Sequence, residues 1–321
     1  MHFAEVRHSL FSNNTIQKIA NSYGVGKIIN CSFLTRGLND TYLVVTENNK
    51  YIFRVYRKGW RMKSDILYEL DAINYVSDYG ISVSKPLRRN DGQWLTEISA
   101  SEGTRYGVLF HFTKGERPEI NEENCNIIGK ALGELHNATD TFTSQNQRSF
   151  ELNFTHLLDE PADLIIPNLK SLHIDKEDTF KAIINDLKTY LRDIDNLDYG
   201  FCHGDFHNFN MHVYAQNLEV FDFDCCGLGF RAYDVSVFLW NLKQNYSNLE
   251  SSCSEAFLNG YLSRKNINEK NIDAIKKFVT MRRIWFMGIL LRNDDVWGTI
   301  WRNKSNFDMF ISKLEQEVEN Y

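Results

Sequence analysis

Up to about residue 112 the apolar residues of this chain fall mainly in short runs and alternations, and from residue 121 onward they recur at intervals of three and four. A period of two sends side chains to opposite faces of a strand, whereas a period near 3.6 gathers them on one face of a helix. The change of period therefore predicts an α+β chain, with an antiparallel sheet in its first part and a mainly helical remainder. With 321 residues, each part is long enough to bury a core of its own. The expected division is 1–112 and 113–321, with Thr113 to Glu119, which contains Gly115 and Pro118, as the link.

In the first part Ser12 is placed to cap a helix carrying Ile16, Ile19 and Ala20 that stops at Gly24. Strand-like runs follow at 28–34, 42–46 and 51–56, and Asn48-Asn49 turns the last two into a hairpin. Ile66, Leu70, Ile73 and Val76 predict a helix over 63–79, ended by Gly80, before two more strand-like runs at 93–98 and 105–112. In the second part Asn121 caps a helix through Leu135, and helical patterns occupy 177–193, 232–243, 253–263, 268–290 and 305–319. Short strand-like runs lie at 211–214 and 218–223.

Composition narrows the function. Lysine and arginine total 36 against 42 aspartates and glutamates, a net charge of -6, which argues against a nucleic-acid partner that must be held by clustered cations. The six cysteines include no CxxC pair, so zinc is not expected even though His203, His207 and His212 are near one another in sequence; reduced thiols in a cytoplasmic protein fit better. Apolar stretches such as 286–291 are too short to span a membrane, and the segment 1–11 has an acidic residue and two histidines where an export signal needs a basic start and an apolar run. A cytoplasmic enzyme with no membrane partner is the expectation.

The chemistry concentrates in Phe201-Cys202-His203-Gly204-Asp205-Phe206-His207-Asn208-Phe209-Asn210. An Asp two residues after a His, and an Asn five after that Asp, is the spacing of the catalytic loop in phosphoryl-transfer enzymes of the kinase type. Phe221-Asp222-Phe223-Asp224 follows, with Asp222 twelve residues beyond Asn210, where a kinase keeps a metal-binding Asp. Nucleotide phosphates need Mg²⁺ held by hard oxygen ligands, here the Asn210 amide and the Asp222 carboxylate. A separate carboxylate must orient the attacking hydroxyl and take its proton, and Asp205 is placed for that.

On these residues the chain resembles the aminoglycoside phosphotransferase and choline kinase family, nearest to its homoserine-kinase-like and stress-response-kinase-like branch. The strings His203 to Asn210 and Asp222 to Asp224 carry the likeness, which extends from the strand pair near residue 37 to the Arg282-Arg283-Ile284-Trp285 and Asn293 to Gly298 region. The resemblance implies a protein-kinase-like two-lobe fold with ATP and Mg²⁺ in a cleft, and a small-molecule hydroxyl as acceptor. It also implies that Gly37 and Asn39 lie on the short loop beside the phosphates, that Ile52 covers the adenine, and that the backbones of His111 and Thr113 meet its edge. His207 stands where protein kinases keep a phosphate-contacting lysine, and His136 and Asp234 have structural roles.

Strand alternation places Ile52, Arg54 and Tyr56 on one face, opposite Tyr51, Phe53 and Val55. Arg54 occupies the place of the phosphate-binding lysine of kinases, and Glu69, three after Ile66 and four before Ile73, is its natural partner on the following helix. Two other classes fit the same strings: a Ser/Thr protein kinase of the stress-response type, and a nucleotide-binding regulatory protein. GTP in place of ATP is a further alternative. Gly204 where a protein kinase has an arginine, and only nine residues between Asp224 and Asp234, leave no room for a peptide platform of the usual kind and favour a small acceptor.

Overall fold

The structure, a computed structural model, describes residues 4–319. The first three residues of the segment weighed against an export signal lie outside the described residues. In chain order the elements are α1 (Asn13–Ala20), β1 (Ile28–Arg36), β2 (Asp40–Thr46), β3 (Lys50–Val55), α2 (Lys63–Asp78), β4 (Thr96–Ala100) and β5 (Gly103–His111). These are followed by α3 (Glu122–Ala138), α4 (Glu160–Ser171), α5 (Glu177–Asp193), β6 (Tyr199–Cys202), β7 (Met211–Tyr214), β8 (Asn217–Val220) and β9 (Gly227–Phe230). The chain ends with α6 (Arg231–Asn245), α7 (Glu250–Leu262), α8 (Glu269–Arg292), α9 (Asp294–Trp297) and α10 (Lys304–Glu319). They form two compact units, one of residues up to 115 with 143–149 and 214–224, the other of 116–142, 150–213 and 225 onward.

The first unit is built on a five-stranded antiparallel sheet in the order β1-β2-β3-β5-β4. Tyr51, Phe53 and Val55 of β3 are buried on one face, against Tyr42, Val44, Leu109 and the α1 residues Ile16 and Ala20. Ile52 and Arg54 point to the other face and keep some exposure. The Ser12 hydroxyl accepts the Thr15 N–H and starts α1, while the Asp65 carboxylate reaches back to the Met62 N–H and starts α2. Asp65 also accepts the Ser149 N–H and hydroxyl, and Asp71 accepts from Ser144 and Asn146, so two acids of α2 tie down the 143–149 segment.

The second unit is mainly helical. Gly129 of α3 lets α7 approach so closely that a Cβ would collide with the Phe257 carbonyl, and α8 packs on α4, α6 and α10. Periodicity alone gives no helix between 139 and 176, yet α4 forms there. Its buried Ala162, Ile165 and Leu169 do recur at three and four, but Pro167 inside the helix removes a backbone donor and masks the pattern. The pairing of β6 with β9 is equally unannounced, because each strand has four residues and β9 reads Gly-Leu-Gly-Phe.

Candidate active site

The loop that follows β6 is fixed from α6. Asp234 is fully buried, and its two carboxylate oxygens accept the N–H groups of His203 (2.6 Å) and Gly204 (2.7 Å). The same carboxylate takes a hydrogen from His136 Nε2 at 3.1 Å, which leaves His136 Nδ1 to accept the Tyr261 hydroxyl at 2.9 Å. Burial holds the His136 imidazole below its ordinary value despite the pull of Asp234, in keeping with a neutral ring. Gly204 turns the chain at φ +80, and a side chain there would meet the Cys225 carbonyl.

That turn presents Asp205. Asn210 Nδ2 donates to the Asp205 carbonyl and to its Oδ2, both at 2.9 Å, so the amide hydrogens of Asn210 face the loop and its carbonyl oxygen is left as the group able to ligate a cation. His207 accepts the Phe209 N–H on Nδ1 and brings Nε2 to 3.3 Å from Asp205 Oδ2. The other oxygen, Oδ1, is paired with Arg282 Nη2 from α8. Burial alone would raise the Asp205 carboxyl, but His207 and then Arg282 outweigh it and hold the group well below the usual carboxylate range.

Within the first unit a second group of charges surrounds Arg54. Its Nη1 lies 3.0 Å from Glu69 Oε1 and its Nη2 lies 3.0 Å from Asp222 Oδ1. Glu69 also accepts the Tyr56 hydroxyl at 3.0 Å, and complete burial pushes its carboxyl up to about 7 against the pull of Arg54. Asp224 is buried, its side chain 6% exposed, and held by protein: Asn39 Nδ2 (2.9 Å) and Trp60 Nε1 (2.8 Å) donate to one oxygen and Arg61 Nε (2.8 Å) to the other. Asp222 stands apart, with a left-handed backbone at φ +66 and a side chain 40% exposed. Of the two acids in the string, Asp222 is the one with oxygen to offer a cation.

The remaining nucleotide-side candidates also lie in this unit. The Gly37 N–H closes a tight turn onto the Asn39 carbonyl, and the Asn39 side chain accepts the Arg57 N–H as well as donating to Asp224. Ile52 is half-buried on the Arg54 face. The His111 N–H is already given to the Lys85 carbonyl and the His111 carbonyl accepts from Ser84, while Thr113 is buried just beyond β5.

Residues 32–271 match the model of the phosphotransferase enzyme family. The chain belongs to that family. It is 32% identical to an uncharacterised protein of Deinococcus radiodurans over 90% of this chain and 85% of that one. It is 25% identical to a homoserine kinase of Allorhizobium ampelinum over 79% and 77% of the two chains. A solved amicoumacin kinase, in complex with AMP-PNP, Ca²⁺ and Ami, is 20% identical, covers 97% of this chain with 94% of its own, and superposes with a TM-score of 0.77. The fold is kinase-like, and the protein is a phosphotransferase of small molecules.

Arg282 is the residue of this phosphotransferase that periodicity did not single out as part of the site. It sits among Met281, Ile284 and Trp285 on the largely apolar buried side of α8, and an arginine buried in such a place must have a partner. Among the described residues His136, Cys202 and Asp234 lie close enough to share a metal, but the Asp234 oxygens and the His136 nitrogens are committed to the loop and to Tyr261. The six cysteines are buried free thiols, and no helix among the described residues is long and apolar enough to cross a membrane.

Proposed function

We propose that this phosphotransferase transfers the γ-phosphate of ATP to a hydroxyl of a small molecule, with Asp205 as the base that receives the hydroxyl proton. As the acceptor oxygen bonds to the γ-phosphorus, the bond from that phosphorus to the β-phosphate oxygen breaks and ADP leaves. The observation that supports this most directly is the Asp205 carboxylate, held by Asn210, His207 and Arg282 yet a quarter exposed, in a chain of the phosphotransferase family. Arg54, steadied by Glu69, would neutralise phosphate charge, as would His207 from the catalytic loop. Gly37, Asn39, Ile52, His111 and Thr113 would shape the nucleotide side, with His111 contributing through the second lone pair of its carbonyl.

The donor set suits a hard divalent cation: the Asn210 carbonyl oxygen and the Asp222 carboxylate would hold Mg²⁺, which would supply charge neutralisation for the phosphates. The test is nucleotide consumption with Mg²⁺ against a panel of homoserine, choline, aminoglycosides and amicoumacin, repeated with Asp205→Ala. Loss of turnover by a factor of about 100 or more, with nucleotide affinity retained, is the expected result. Turnover within tenfold of the parent would remove Asp205 from the role of base.

A further inference from the structure

The ordering of Asp205 raises a question of geometry. An ionised carboxylate offers about four lone-pair positions. Oδ2 already has two partners, Asn210 Nδ2 and His207 Nε2, while Oδ1 has one, Arg282 Nη2. The position left for an acceptor hydroxyl is therefore on Oδ1, next to the Arg282 guanidinium.

Arg282 is itself held from several sides. Its side chain is 2% exposed, its Nη1 donates to the Gly204 carbonyl at 3.3 Å and lies 3.2 Å from the Tyr233 hydroxyl, and its guanidinium carbon lies 4.5 Å from the centre of the Trp285 ring and 5.4 Å from that of Trp240. Such a fork, held at both Nη atoms and packed against two indoles, cannot follow a carboxylate that rotates; it fixes the one that docks on it. We propose that Arg282 is a positioning residue of the transfer reaction: it locks the rotation of the Asp205 carboxylate so that one lone pair of Oδ1 is presented to the acceptor hydroxyl. This rests on the assignment of Asp205 as base. The bond from Arg282 Nη1 to the Gly204 carbonyl extends the same restraint to the turn itself, so one side chain of α8 sets both the backbone and the carboxylate of the loop.

The experiment is a double-mutant cycle on Asp205→Ala and Arg282→Met, read as ATP turnover with water as the acceptor and again with any panel compound that is phosphorylated. Arg282→Met is expected to lower kcat by about 30-fold or more with KM for ATP within about twofold, Arg282→Lys to recover part of the loss, and Arg282→Met to cost nothing further once Asp205 is alanine. A kcat for Arg282→Met within threefold of the parent, or a loss undiminished in the Asp205→Ala background, would overturn the role of Arg282. An Asp205→Ala protein as fast as the parent would instead overturn the assignment of the base. Should Arg282→Met give no cooperative melt, Tyr233→Phe decides: it removes one of the two partners of Nη1, so kcat should fall about threefold to tenfold at unchanged KM for ATP, and an unaltered kcat would refute the clamp.

Discussion

Arg54 and Asp222 stand 3.0 Å apart, the arginine from the central strand β3 and the aspartate on a left-handed turn of the backbone. With Glu69 on its other side, the guanidinium has two carboxylates to satisfy. Desolvation works against its charge, yet Asp222 and Glu69 together hold it more firmly protonated than an ordinary arginine. Under the proposed function, a phosphate beside Arg54 would compete for it with Asp222 and would free that carboxylate for a cation.

Arg54→Ala should therefore raise KM for ATP or lower kcat, by about tenfold or more, because a phosphate contact and the restraint on Asp222 disappear together. Arg54→Lys should keep part of the activity, since an ammonium reaches phosphate as a point charge. Steady-state kinetics in ATP give the answer, and an alanine variant with unchanged constants would place the phosphate contact elsewhere.

Asp222→Ala and Asn210→Ala should both increase the Mg²⁺ concentration needed for half-maximal rate. They should differ in one respect. Asn210 also binds Asp205 Oδ2 and the Asp205 carbonyl, so its loss should leave a kcat defect that saturating Mg²⁺ does not restore, whereas the Asp222 variant should recover further. Mg²⁺ titration of both variants separates the two, and full turnover in excess EDTA would dismiss the cation altogether.

Gly204→Ala should destabilise the protein by about 1–3 kcal/mol and reduce kcat, because alanine at φ +80 is strained and its Cβ meets the Cys225 carbonyl. The displaced turn would pull the His203 and Gly204 amides from Asp234. Urea unfolding with parallel kinetics tests this, with parental stability as the contrary result.

Stability should depend on pH through Glu69. Its carboxyl is raised from 4.5 to about 7 by burial, so the folded chain keeps a proton that the unfolded chain has released. Stability should accordingly fall as pH rises from about 4.5 through 7. Glu69→Gln, which has no proton to lose, should flatten that slope. Urea midpoints measured from pH 5 to pH 8 should converge or cross, and two parallel profiles would show that Glu69 does not titrate in this range.

The α+β class and nearly every helix longer than twelve residues are legible in the sequence, because burial on one face of a helix or strand imposes a local period that the chain itself must carry. Asp205, Asn210 and Asp222 stand out for a related reason: their chemistry demands fixed types at short, fixed spacings. The pairing of Arg54 with Glu69 follows from the same two periods, one placing the arginine on the exposed face of β3 and the other placing the glutamate on the inward face of α2. Arg282 lies 77 residues from Asp205 and has no such spacing; only the packing of α8 in the second unit brings its guanidinium to the carboxylate. The burial of Asp224 behind Asn39, Trp60 and Arg61 is likewise a product of long-range contacts, and together with the exposure of Asp222 it separates the two acids of the string. Local periodicity and motif spacing are properties of the chain, but which buried charges meet is set by tertiary packing, where burying an arginine or an aspartate is tolerable only once its partner arrives.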